Sequence, residues 1–406
     1  MNPTPHFVKL ETALLFTMGM VIFLSKPAIY LVCLLLLILT TLRILTDSNY
    51  RQAVFEKKLF WASTGLFFLG IASAAISSEY IEDAGWIAKK TLLLPMVVPL
   101  LIGFKNNTNR TAAITGIITG FWIALILTGQ LHNWTWSGQR LEGATWLVDT
   151  WGLICAMLTA FLIPLLFHKN MSLAWRLIIA LTMFASIIML LLNGARGPLL
   201  GTACGLALYL LIKQLRIFVI SASSITIIML TLYSVNPAQI SPIKERISSI
   251  TDLDSNSSNY IRIALWETGI KAIGQQIKEN DIRFLAGNGH TGQVTTATNF
   301  YRNELNENAL IRPGILNKTL INDFHNMYIQ SIYQNGAVWT AGVLWLLLWI
   351  GIGKITQTKS SAADMSGLAT ITCYFVTGIT YTLLPHFAFL FLIFFLTLNR
   401  SQADSA

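Results

Sequence analysis

Apolar runs close to twenty residues long follow one another along nearly the whole chain, parted by short polar or Gly/Pro-bearing joints. About 20 apolar residues in helical conformation cross the hydrocarbon core of a bilayer, so the pattern predicts membrane-spanning helices with lipid as their main solvent. Twelve are expected, over residues 10–25, 27–46, 59–77, 87–104, 111–129, 145–167, 173–193, 198–215, 217–235, 326–351, 365–384 and 386–399. The joints at Gly194–Pro198 and Pro385 are short enough to be kinks inside longer helices instead. Leu10–Leu24 is followed by no small-residue cleavage site and reads as a retained first span. One stretch, residues 236–325, is polar instead. The expected fold class is an all-α integral membrane protein of about twelve transmembrane helices. It divides into helices one to nine (1–235), one large loop carrying surface helices (236–325), and helices ten to twelve with a short tail (326–406).

Composition agrees with the pattern. The 406 residues are 54% hydrophobic and only 12% charged, with a mean hydropathy of +0.60, against roughly a quarter charged in soluble proteins. A formal charge of +9 would point to nucleic acid in a soluble chain, but its distribution here has another cause. With a cytoplasmic N-terminus, the cytoplasmic segments hold 14 Lys and Arg residues and the short outer segments hold 5. This positive-inside bias puts both termini in the cytoplasm, exposes the large loop on the outer side, and calls for no nucleic-acid partner. The loop carries 9 basic and 9 acidic residues, and long outer loops escape the charge rule. Within it, Tyr260–Ile277 sets Ile261, Leu265, Ile270 and Ile273 among polar residues, the pattern of an amphipathic helix lying on the membrane face. The four cysteines (Cys33, Cys155, Cys204, Cys373) sit in apolar runs without shared spacing and read as buried small hydrophobes.

Three residues stand out as chemistry. Arg196, in Asn193-Gly194-Ala195-Arg196-Gly197-Pro198, lies between two apolar spans at the outer interface. A guanidinium stays charged and is costly near hydrocarbon, so it points to an anion such as phosphate. Gly197 would let backbone approach a bulky ligand, and Pro198 suits a first helical turn. The plainer alternative is an arginine gripping lipid headgroups. His325 sits where the large loop re-enters the membrane; with Asn322 or Asp323 as N-cap it would fall in the first helical turn. A neutral imidazole there can accept a proton. Arg262 lies one turn before Trp266 on the loop helix, so the two share a face; such pairs also grip headgroups. Lys89, Lys90 and Arg140 are the other outer-side cations in view, as secondary phosphate contacts, although Lys89 and Lys90 could merely neutralise Glu79, Glu82 and Asp83. Asp252-Leu253-Asp254 has the spacing of a metal-binding acidic pair but lies on the outer face, away from nucleotide sugars. Gly287-Asn288-Gly289 is a weak match to a phosphate-cradling turn. No His/Cys cluster argues for a metal.

The layout of these residues resembles the O-antigen ligase family, within the wider group that includes O-antigen polymerases. Arg196-x-x-x-Leu200, Arg262-x-x-x-Trp266 followed by Gly287-Asn288-Gly289, and His325-Asn326 followed by Gly336 are similar to the family's motifs, and the large loop between the ninth and tenth spans matches its topology. Where the family usually has a Thr three residues after that glycine, this chain has Trp339, with Thr340 next. The resemblance implies an inner-membrane glycosyltransferase of lipopolysaccharide biosynthesis with a periplasmic loop and active site. Its donor would be a glycan on undecaprenyl pyrophosphate, and its acceptor a sugar hydroxyl of lipid A–core. Transfer would invert the anomeric centre without a metal or other cofactor. It would use His325 as base, Arg196 and Arg262 as cations on the leaving pyrophosphate, and Arg140, Lys89, Lys90, Trp266 and Asn326 as substrate contacts. An O-antigen polymerase or a protein O-oligosaccharyltransferase would share this chemistry. A transporter or flippase would instead place ionisable residues at span midpoints or show inverted repeats, and neither is visible.

Overall fold

The structure is a computed structural model that describes residues 5–77, 80–135, 140–167, 171–216, 219, 257–308, 321–352, 362–384 and 386–403. These residues are helical with no strand among them. The first part comprises α1 (Pro5–Leu24), α2 (Lys26–Thr46), α3 (Ser48–Phe55), α4 (Lys58–Ser77), α5 (Glu82–Lys90), α6 (Val97–Gly103), α7 (Asn107–Leu131), α8 (Val148–Leu166), α9 (Leu173–Asn193) and α10 (Arg196–Lys213). The loop contributes α11 (Ser257–Lys278), α12 (Arg283–Ala286) and α13 (His290–Asn308). The last part is α14 (Met327–Asn335), α15 (Ala337–Ile352), α16 (Ala362–Gly378) and α17 (Phe387–Ala403).

Six of these helices, α1, α2, α4, α7, α8 and α9, are long and apolar enough to cross a membrane. Their starts are chemically marked: Ser25, Asn106 and Ser172 cap α2, α7 and α9 by accepting backbone N–H groups, which satisfies donors that lipid cannot. The helix α8 is buried without interruption from Trp151 to Leu165 and packs on α9, α10 and α16. Gly197, Gly201 and Gly205 make a smooth stripe along α10. A Cβ at Gly201 would collide with Thr377 Oγ1 and Cys373 O, and one at Gly205 would stand 2.5 Å from Ala369 O. The stripe therefore lets α10 lie backbone-close on α16.

Two expected spans are not continuous helices. Residues 87–104 divide into α5 and α6 around tight turns at Thr91–Met96 (Leu94 N–H to Thr91 O 2.8 Å, Met96 N–H to Leu93 O 3.1 Å), because Pro95 has no N–H to extend a helical ladder. Residues 326–351 divide into α14 and α15 at Gly336, which has φ +84°. A Cβ there would collide with Leu285 O, so the end of α12 is wedged into the break. The expected span 365–384 is helical only to Gly378. The joint at Gly194–Pro198 is a true corner: Gly194, at φ +65°, ends α9 and Arg196 opens α10. The expected ninth span, 217–235, falls outside the described residues except at 219.

The loop helices build a second small core from Leu265, Ala272, Ala297, Tyr301, Ile321, Phe324 and Tyr333. Tyr260–Ile277 is amphipathic as expected, but its apolar face packs on protein: Ile261, Leu265 and Ile273 join this core, whereas Ile270 faces outward. Period alone does not show that α11 has a protein partner on one face.

Candidate active site

One cavity of about 400 Å³ is lined by residues of α5, α8, the loop, α14 and the 379–386 connection; His325 lines it, whereas Arg196, Arg262, Arg140, Lys89 and Lys90 do not. The first of three joints is the α9–α10 corner. Buried Asn193 donates to Leu141 O and Val148 O, both at 2.8 Å, and accepts Ala195 N–H at 3.2 Å. One side chain thus pins the corner that carries Arg196 to the segment that carries Arg140. The next residue, Gly197, abuts the 379–386 connection: a Cβ there would stand 2.6 Å from Tyr381 Cε2 and collide with Thr380 Oγ1. In place of the ligand expected from the sequence, this glycine admits Tyr381.

Tyr381 is the hub. Its ring lies 5.7 Å from the Arg262 guanidinium carbon, and Asp149, Arg262 and Arg140 all act on its phenol. Burial first, then Asp149, push that phenol up to about 12 against the pull of the two arginines, so it remains a protonated donor at neutral pH. Tyr381, Asp149 and His325 line the same cavity.

The third joint precedes α14. Asn326, not Asn322 or Asp323, is the N-cap: its Oδ1 accepts Tyr328 N–H at 2.9 Å and Ile329 N–H at 3.1 Å. Its Nδ2 donates to Ile379 O at 3.0 Å. Asn326, which the resemblance makes a substrate contact, thereby ties α14 to the connection that bears Tyr381. His325 lies before the helix rather than in its first turn, in a left-handed conformation with φ +48°. An Asx turn holds it there, with His325 N–H donating to Asp323 Oδ1 at 2.8 Å. The same oxygen lies 3.2 Å from His325 Nδ1, so the carboxylate stands at that edge of the ring, with Nε2 on the other. Trp266 Nε1–H donates to His325 O at 3.4 Å, so the loop helix bearing Arg262 is registered directly on the histidine.

Lys89 and Lys90 rest on aromatic rings. Lys89 Nζ lies 4.5 Å from the Tyr30 ring, and Lys90 Nζ lies 3.5 Å from Phe387 and 5.7 Å from Trp86, which lines the cavity. Asp83 is engaged elsewhere. Its carboxylate accepts Thr291 N–H and Oγ–H, both at 2.9 Å, stabilising the N-terminus of α13. Glu79 lies outside the described residues, as does Asp252-Leu253-Asp254.

Residues 178–346 match the family described as O-Antigen ligase. The chain carries that family's domain. No curated protein matches it. That family covers O-antigen ligases and polymerases, and the match together with several apolar helices suggests a multi-pass membrane protein. The matched segment holds Arg196, Arg262, Trp266, His325 and Asn326, whereas Lys89, Lys90 and Arg140 precede it.

Two segments noted in the sequence, Gly287-Asn288-Gly289 and Trp339-Thr340, act as framework. Asn288 N–H and Gly289 N–H donate to Tyr333 O at 3.0 Å and Gln334 O at 2.9 Å, and Asn288 Nδ2 adds a bond to Tyr333 O at 2.7 Å. Gly287-Asn288-Gly289 is therefore a clip on the last carbonyls of α14, and the N–H groups of Asn288 and Gly289 are not free for phosphate. Trp339 donates from Nε1 to Leu66 O at 3.0 Å, while Thr340 pairs with Ser331 at 2.8 Å. Gly287 sits at φ +86° with Gln334 O against the Cβ position. Gly287→Ala should therefore cost about 1–3 kcal/mol from backbone strain alone, read as a lower unfolding temperature of the purified protein. An unchanged temperature would mean that the clip does not hold α14.

Sequence reasoning gave no role to Tyr381 or Asp149, took Asp323 as an N-cap candidate and charged neighbour of His325, and set His290 aside as an outer-side histidine in a poorer setting. Of these only Asp323, two residues from the histidine, carried a local signal.

Proposed function

We propose that the protein is an O-antigen ligase that transfers a glycan from undecaprenyl pyrophosphate to a sugar hydroxyl of lipid A–core, on the periplasmic side of the bacterial inner membrane. The observation that carries this reading is one cavity lined by both His325 and Tyr381, with the Arg262 guanidinium 5.7 Å from the Tyr381 ring. His325 Nε2 removes the proton of the acceptor hydroxyl as it attacks the anomeric carbon, a step worth about 100- to 10,000-fold from a positioned base. The bond from that carbon to the pyrophosphate oxygen breaks on the opposite face, which inverts the centre. The Arg262 guanidinium beside Tyr381 stabilises the charge left on that oxygen, supported by Arg140 and by Arg196 at the opening of α10. Lys89 and Lys90 extend the positive field towards the lipid-linked diphosphate.

Lipopolysaccharide profiling of a strain lacking the protein tests this reading. The expected result is loss of all long-chain glycan from lipid A–core, with lipid-linked polymer accumulating. A single repeat still attached to core would assign the protein as a polymerase instead. An unchanged profile would end the glycan-transfer reading.

A further inference from the structure

Behind His325 the cavity is floored by a hydrogen-bond chain whose polarity is fixed. Phe324 N–H can only donate, and it does so to Gln330 Oε1 at 3.0 Å. The Gln330 amide is thereby oriented, with Nε2 donating to Gln293 Oε1 at 2.9 Å and Gln334 Oε1 at 2.8 Å. With its oxygen turned to Gln330, Gln334 has Nε2 on its other side. That nitrogen is buried without a partner in a side chain only 3% exposed that lines the cavity. A flipped amide would set two NH₂ groups against each other, so the free donor follows from the backbone of Phe324.

Across the floor stands His290. Its ring stacks on Trp86 at 4.3 Å and 10°, and its Nδ1 is also buried and unpartnered. Burial pushes its pKa down, outweighing the attraction of Asp83, so the imidazole is neutral and offers one donor and one acceptor. Unmet buried polar groups are costly, and two of them in residues that line one cavity mark a place for a polar ligand. These groups are uncharged. Trp86, Leu147, Leu153 and Leu383 give the cavity an apolar part of its wall, beside Asp149, Asp323 and other polar residues. One polar edge and one apolar face is the chemistry of a pyranose ring, and the arginines around Tyr381 serve the diphosphate.

We propose that Gln334 and His290 form a subsite for the donor sugar, with Gln334 Nε2 and the His290 imidazole binding hydroxyl or acetamido oxygens of the pyranose joined to the diphosphate. This rests on the glycan-transfer reading above and names the part of the substrate that the floor holds. Gln334→Glu keeps the oxygen that Gln330 needs and replaces the amide donor by a carboxylate oxygen, and Gln334→Met removes the donor without adding charge.

The test measures affinity of the purified full-length protein for undecaprenyl diphosphate and for the same lipid bearing one hexose or one N-acetylhexosamine. The wild type should prefer at least one sugar-bearing lipid by about tenfold, the usual scale of one buried neutral hydrogen bond. Gln334→Glu, or Gln334→Met should the first variant fold poorly, should lose most of that preference and bind the bare lipid as the wild type does. The subsite is overturned if the preference survives in the variants or the wild type has none. It is also overturned if bare-lipid affinity falls equally, or if only affinity for free core oligosaccharide changes. These binding outcomes are separate from lipopolysaccharide profiling, so failure of the subsite and failure of the transfer reading are distinguishable.

Discussion

His325→Ala is expected to lower glycan transfer by about 100- to 10,000-fold, the contribution of a positioned general base, while the protein remains folded. Its side chain is 41% exposed and faces the cavity rather than a core, so little packing is lost. Its backbone carries a cost instead: at φ +48° a residue with a Cβ is strained by about 1–2 kcal/mol. His325→Gly should therefore lose transfer as fully as His325→Ala and unfold at an equal or higher temperature. A residue retained only to shape the loop would show the reverse, with activity surviving in the glycine variant. The Asx turn adds a second expectation. Asp323→Asn keeps an acceptor for His325 N–H but weakens the hold on Nδ1, so transfer should fall less than in His325→Ala and chiefly in kcat. The assay is transfer from lipid-linked glycan to lipid A–core with purified protein. Activity of His325→Ala within about threefold of wild type would remove the base from the scheme.

What the sequence made legible, and what it hid, follows from range. Long apolar runs report on lipid through local composition, so α1, α2, α4, α7, α8 and α9 fall where expected. Breaks caused by tertiary contact do not announce themselves. Pro95 and Gly336 are visible as letters, but only the wedge of Leu285 into the Gly336 position shows why α14 and α15 must part. Arg196, Arg262 and His325 stand out because ionisable groups at a lipid boundary need a reason. Tyr381 does not, because a tyrosine near a span end is ordinary until Arg262, Arg140 and Asp149 are seen around it. The Gly287-Asn288-Gly289 run shows the converse error. Glycines that read as a ligand cradle serve close backbone approach to α14, an approach between segments about 45 residues apart in the chain that no local pattern encodes.

Arg262→Ala should reduce transfer by about 100- to 1,000-fold, the effect of deleting one preorganised donor to a developing oxyanion. The guanidinium lies off the face of a buried Tyr381 ring, 5.7 Å from its centroid, so it is held in place before substrate arrives. Its charge therefore costs little reorganisation when the pyrophosphate leaves. Negative charge grows on the leaving oxygen only as the bond breaks, so the loss should appear mostly in kcat, with a smaller rise in KM for the lipid-linked donor. Arg262→Lys should recover only part of the activity, because a point charge does not reproduce a planar fork on a phosphate. Arg196 opens α10 one residue before Gly197, which abuts the same tyrosine. If both cations answer the same charge, the Arg196→Ala/Arg262→Ala double variant should fall well short of the product of the single losses. Strict multiplicativity would assign the two arginines to independent roles. Transfer by Arg262→Ala near the wild-type rate would leave the departing pyrophosphate without its main cation, and the scheme would have to be rebuilt on Arg140 and the lysines.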